Sequence, residues 1–243
     1  MRCFIRILAR MQAATLNLSE RNPVTTLTTH ACSAVVARLF AEADASDAAL
    51  HAQRDALSPQ ELARLMGGTE DYQLLYGRLK DFHLAVSRET ATLLYMLTRS
   101  SCAGAIVEFG TSFGVSTLHL AAALRDNGGG RLISTEFEPT KVVQASANLA
   151  AAGLADLVEI RSGDAVHTLA RDLPERVDLA LLDGAKGLYP KILSLLEPRL
   201  RPGALVVADN ADWSAEYLAR VRDPAGGYMS VPFATDVEVS LKL

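Results

Sequence analysis

Cysteine, excess basic charge and long apolar runs are all scarce in this chain, and each scarcity removes a class of protein. The three cysteines, Cys3, Cys32 and Cys102, stand far apart and are odd in number. They build neither a disulfide framework nor a paired metal knuckle, and a reducing compartment suits them. Lys and Arg total 24 against 28 Asp and Glu, a net charge of −4. The chain as a whole therefore has no pull on a phosphate backbone, and nucleic acid is a disfavoured partner. No apolar stretch reaches the ~18 residues that a membrane-crossing helix needs, so no membrane partner is expected. The five histidines, at 30, 51, 83, 119 and 167, show no metal-ligand spacing. No acid precedes Glu20, and "MRCFIRILARMQ" is basic and apolar like an organelle presequence. It lacks an adequate apolar centre and a small-residue cleavage site. It is read as an untargeted tail, and the compartment as cytoplasmic.

What remains is a globular composition, 49% hydrophobic and 21% charged over 243 residues. That fits one large domain, or one domain with an appendage. Up to about residue 98 the texture is helical, read as an extension or cap that could form a lid or a dimer interface. Val35, Leu39, Ala43 and Leu50 recur at helical spacing. The run "SPQE" places Ser58 as N-cap, Pro59 at the first helical position and Glu61 three residues on, before Gly67 and Gly68 break the helix. A further helix is expected from Ser87 through "ETATLLYMLTRS". From residue 99 the pattern changes. Short apolar runs, "AIVEF", "RLISTE", "LVEIR", "VDLALLD" and "ALVVAD", alternate with helix-length segments. That alternation predicts an α/β domain over 99–243, a doubly wound and mostly parallel sheet with right-handed crossovers. The closing "GYMSVPFATDVEVSLKL" reads as an antiparallel hairpin on the sheet edge, which makes seven strands in all.

Ligands in such sheets bind at the carboxyl ends of the strands, near the topological switch point. The first strand runs into "VEFGTSFGVST". Gly110 permits a sharp turn, and Gly114 opens a helix whose N–H groups favour an electron-rich ligand. Ser112 stands where a dinucleotide fingerprint has its second glycine, which disfavours an NAD-linked oxidoreductase. Glu108 would repel a phosphate but suits an ammonium. The second strand ends on Glu136, an acid able to accept both hydroxyls of a ribose. The third leads to a turn where Asp164 or the Ala165 N–H could meet a base edge. G-x-S-x-G is spelled at 110–114, as in hydrolase elbows, yet no histidine ends a later strand. The fourth and fifth strands end on Asp183 and on Asp209-Asn210. Neighbouring strands lie about 4.8 Å apart, so these oxygen donors converge at one rim and suit a hard cation such as Mg²⁺.

An ammonium-seeking acid, a glycine turn, a ribose acid and a base-contacting turn together describe S-adenosylmethionine. Here the sequence resembles the cation-dependent O-methyltransferases, the family of catechol and caffeoyl-coenzyme A O-methyltransferases, from roughly Ser87 to the C-terminus. The most specific element is D-x-x-K-x-x-Y at Asp183, Lys186 and Tyr189, followed by D-N-x-x-W at Asp209, Asn210 and Trp213. The resemblance implies that Glu108 holds the methionine ammonium and that Gly110 passes beneath the cofactor. It gives the cofactor carboxylate to Ser116, the ribose to Glu136 and the adenine to Ala165. Ser112, Gly114, Asp164 and Asp183 join the cofactor-binding set. Asp183, Asp209 and Asn210 would ligate the metal, and Tyr189 and Trp213 would wall the site. Lys186 would take the proton of a hydroxylated, catechol-like acceptor, for which its pKa must be depressed. Two departures concern the acceptor. The segment after Asn210 is short, and the region before Glu108 is long.

Overall fold

The computed structural model describes residues 25–55 and 72–243 and, between these stretches, residues 58, 60, 61 and 68. The expected tail at 1–10, Pro59 and Gly67 lie outside the described residues. Ser58 and Glu61 form the expected capping box, the Ser58 N–H donating to Oε2 (3.0 Å) and the Glu61 N–H to Ser58 Oγ (3.2 Å).

Among the described residues the α-helices α1 (His30–Asp55), α2 (Tyr72–Arg78) and α3 (Arg88–Ser100) precede the sheet. Ser87 caps α3 by accepting the Thr90 N–H at 3.0 Å, and the helix begins where the sequence places it. The sheet region then alternates β1 (Ala105–Phe109), α4 (Val115–Asp126), β2 (Arg131–Glu136), α5 (Pro139–Ala151), β3 (Val158–Ser162), α6 (Ala165–Thr168), β4 (Val177–Leu182), α7 (Tyr189–Leu196) and β5 (Leu200–Ala208). It closes with α8 (Ala215–Arg222) and the strands β6 (Tyr228–Phe233) and β7 (Val237–Lys242).

All seven strands form one sheet in the order β3-β2-β1-β4-β5-β7-β6. The first five run parallel, and the β6–β7 hairpin adds antiparallel to β5. Side chains alternate between the two faces of a strand. Ile106 accordingly packs with Leu94, Leu118 and Leu124 on one side, and Val107 with Ile133, Leu193 and Val206 on the other. Each fully buried aliphatic contributes about 1.5–3 kcal/mol. α1 joins the first of these cores through Cys32, Val35 and Leu39, so the N-terminal helices and the sheet share apolar packing. The chain leaves β1 toward β2 on one side and returns to β4 on the other, so the switch point lies between β1 and β4.

Candidate active site

Three strand ends line up at that switch point. The Asp183 N–H donates to the Phe109 carbonyl (2.8 Å), and the Asp209 N–H donates to the Leu182 carbonyl (2.9 Å). The residues following β1, β4 and β5 therefore stand level. Gly110 has φ +105°, and a Cβ there would lie 2.5 Å from the Asp183 carbonyl oxygen. The first turn must be glycine for both reasons. Ser112 and Asn210 hold positive φ without being glycine, at 47° and 48°. Strain of that kind clusters where backbone is placed for a ligand.

Above this rim lies a cleft open to solvent, its empty space about 640 Å³, lined by Gly110, Ser112, Glu136, Asp164, Ala165 and Asp183, all named by the sequence reading. A smaller inner pocket of about 260 Å³ shares Gly110, Ser112 and Asp183 and adds Ser116. Glu136 accepts backbone N–H groups from Ser112 (2.8 Å) and Glu138 (2.9 Å), which fix its carboxylate facing the cavity. Asp164 caps α6 through the Val166 N–H (2.8 Å) and also accepts the Tyr72 hydroxyl (2.8 Å). Gly114 opens α4 at φ +95°.

Glu108 is fully buried one layer below the inner pocket. Its carboxylate accepts three hydroxyls, from Ser116 (2.5 Å), Ser134 (2.6 Å) and Thr117 (2.7 Å). Burial pushes its pKa up to about 7 from 4.5, against the three hydrogen bonds that pull it down. The folded protein thus holds a proton that the unfolded chain releases near pH 4.5. Stability from this group is complete at low pH and is lost as pH rises through about 7, by roughly 3 kcal/mol in full. The melting temperature of the ligand-free protein is expected to fall between pH 5 and pH 8. Glu108→Gln should flatten part of that slope in a calorimetric series, and an unchanged slope would rule Glu108 out as its source.

Asp183 and Asp209 are near neighbours at the strand ends, and Asp209 is pushed up to about 8, first by burial and then by the charge of Asp183. Lys186 sits in a 3-10 turn, is 3% exposed, and donates to Asp183 Oδ1 at 2.8 Å. Burial disfavours its ammonium, but Asp183 outweighs burial and holds the pKa well above the ordinary lysine value. The sequence reading needs a depressed Lys186. The difference is physical: the charge nearest the amine is the Asp183 carboxylate. The Asn210 amide donates to Asp236 Oδ2 (3.1 Å), and the Ala211 N–H donates to the Asp236 carbonyl (2.7 Å). The turn between β6 and β7 thus braces the loop that carries Asn210. Among the described residues no three His, Cys, Asp or Glu side chains gather as a metal cluster.

Tyr189 is wholly buried, and its hydroxyl donates to the Asp209 carbonyl (2.7 Å), so it fixes the β5 end from below instead of walling the cavity. Trp213 is half-buried in the 3-10 turn Ala211–Trp213, away from the cavity lining. The wall is supplied by residues that the sequence reading passed over, Tyr72, Tyr76, Leu84, Phe109 and Lys141, with His83 in the inner pocket. Tyr72 and Tyr76 are four apart, one helical face, which is the signal that could have found them. His83 stacks flat on Phe113, with ring centroids 4.0 Å apart.

A methyltransferase domain family matches residues 107–211. The chain is 35% identical over 130 residues to a catechol O-methyltransferase of Niastella koreensis, covering 52% of this chain and 58% of that one. It is 31% identical over 140 residues to a catechol O-methyltransferase of Mycobacterium tuberculosis, covering 58% and 63%. The chain thus spans about three-fifths of the length of these curated relatives. In three dimensions it resembles the O-methyltransferase TomG of Streptomyces achromogenes, solved in complex with SAM. There the TM-score is 0.59 and the identity 27%, over 72% of this chain and 91% of that one. An O-methyltransferase from Bacillus cereus, solved with SAH, shares the fold at TM-score 0.63 and 20% identity, over 84% and 100%. Residues 107–211 therefore match a methyltransferase domain, and they lie within the region of the seven-stranded, mostly parallel sheet. Most of the relatives it matches are named O-methyltransferases, among them enzymes named for catechol, and one is named a probable cobalt-precorrin-6B C(15)-methyltransferase.

Proposed function

We propose that the protein is an S-adenosylmethionine-dependent O-methyltransferase that uses a divalent cation, Mg²⁺ or another, on a small hydroxylated, catechol-like acceptor. The observation that carries this reading is the buried trio Asp183, Asp209 and Lys186 at the level strand ends, directly beside a cavity with ribose- and base-facing groups. Two buried carboxyls, the charge of Asp183 raising the pKa of Asp209, followed in the chain by Asn210, fit a hard cation that would displace the proton they retain. Asp183, Asp209 and Asn210 would hold it. When bound, S-adenosylmethionine supplies an electrophilic methyl and leaves as a thioether, while the cation lowers the acceptor hydroxyl's pKa.

The chain's own residues do the rest. Glu136, Asp164 and Ala165 hold the nucleoside end, and Gly110 lets it approach the backbone. Glu108, through Ser116, orders the inner pocket. Lys186 takes the acceptor proton at Nζ once a second positive charge on the acids offsets the attraction that now keeps it protonated. Tyr72 and Tyr76 close the outer wall, so the N-terminal helices act as a lid. The partner is a small molecule, neither nucleic acid nor membrane, and among the described residues no helix is long and apolar enough to cross a bilayer. We read the compartment as cytoplasmic.

Calorimetric titration should show S-adenosylhomocysteine binding and no NADH binding. The reverse would favour an oxidoreductase. On a catechol panel, methyl transfer should vanish with EDTA and return with Mg²⁺. Activity that survives chelation would remove the cation, and cofactor binding without any turnover would leave a binding protein of this fold.

A further inference from the structure

Lys141 lies in the first turn of α5, two residues after Pro139, where a cation opposes the helix dipole. It is 4% exposed and yet lines the main cavity. Its ammonium reaches back to the β1 loop, 3.4 Å from Ser112 Oγ, and lies 5.3 Å from the centroid of the Phe113 ring. Among the described residues no carboxylate pairs with it; Glu136, Glu138, Asp81 and Asp183 act only at longer range. Burial accordingly pulls its pKa down. A buried, unpaired ammonium is costly and is retained where something else compensates it.

The inner pocket needs such a charge. Ser116 was the residue to which the sequence reading gave the cofactor carboxylate, but its hydroxyl proton is committed to Glu108 at 2.5 Å. Its oxygen is left as an acceptor, suited to an ammonium and not to a carboxylate. Ser112 stands where the cavity and the inner pocket meet, so a ligand that fills both passes the Lys141 ammonium.

We propose that Lys141 is the anchor for the carboxylate of the methyl donor's amino-acid tail, pairing with it across Ser112 when the cofactor enters. The inference rests on the cofactor reading above and adds a residue to it. A lysine that merely balances the field of Glu136 and Glu138 would not distinguish ligands by their carboxylate.

The test measures affinity by calorimetry for S-adenosylhomocysteine and for its decarboxylated analogue, in wild type, Lys141→Met and Lys141→Arg. Wild type should prefer the carboxylated ligand by about tenfold or more, the scale of one charge-assisted hydrogen bond. Lys141→Met should erase that preference by weakening only the carboxylated ligand, and Lys141→Arg should keep most of it. Unliganded Lys141→Met should also melt no lower than wild type, because an uncompensated buried charge has gone. Equal losses for both ligands, or no loss for either, overturn the assignment while leaving the cofactor reading intact. Wild type that binds neither ligand overturns the cofactor reading itself. Should Lys141→Met not fold, Lys141→Gln carries the same comparison.

Discussion

Lys186→Met is expected to reduce methyl transfer by about 10²–10⁴-fold, the range for removing a positioned proton acceptor. The same substitution strips Asp183 of the ammonium 2.8 Å away. Breaking a buried pair from one side costs about 3–5 kcal/mol, because the remaining charge has neither water nor partner. Mg²⁺ should therefore raise the melting temperature of the variant more than that of wild type, since the cation takes over as counter-charge to the acids. Single-turnover assays and melting curves in EDTA and in Mg²⁺ check both halves. Activity within a few-fold of wild type would remove Lys186 from the chemistry, and equal Mg²⁺ responses would separate it from the acids.

Gly110→Ala should be the most damaging small substitution in the cofactor loop. The new methyl would stand 2.5 Å from the Asp183 carbonyl oxygen and 2.7 Å from its carbon, both rigid backbone. At φ +105° the alanine is strained whatever room it finds. Together these should cost about 4 kcal/mol, the tail of the distribution for single replacements. S-adenosylhomocysteine affinity should fall by more than about tenfold, because the ends of β1 and β4 must separate under the ligand. Gly128→Ala is the control: its φ is +99°, but a Cβ there meets nothing within 4 Å. It should cost only the strain, about 1–2 kcal/mol. Denaturant melts that place the two variants level would remove the close approach as the cause.

The sheet was legible because its central strands are unbroken apolar runs covered on both faces, and β1, β2 and α5 fall where the sequence puts them. Boundaries slipped where tertiary contacts decide. β5 begins at Leu200, ahead of the expected Ala204, because a register shift against β4 between Val177 and Leu179 accommodates Pro202 and Gly203. The segment "DAVHTLARDL" looks helix-length but stops after Thr168. There the Arg161 guanidinium captures the Thr168, Arg171 and Asp172 carbonyls at 2.7–2.8 Å, and Asp172 turns to φ 54°. The convergence of Asp183 and Asp209 was readable because parallel strands in register must end together. Lys141 and His83 were not readable. A lysine in the stripe Lys141-Ala145-Asn148 reads as solvated until the fold turns that stripe inward. The state of Lys186 was also illegible, since it depends on which charge lies nearest.

The brace from Asp236 onto the Asn210 loop has a practical consequence. The hairpin that ends the chain is tied by two hydrogen bonds to the segment that carries the proposed cation ligands. An affinity tag or a crystallisation truncation at that end is therefore expected to act on the proposed cation site.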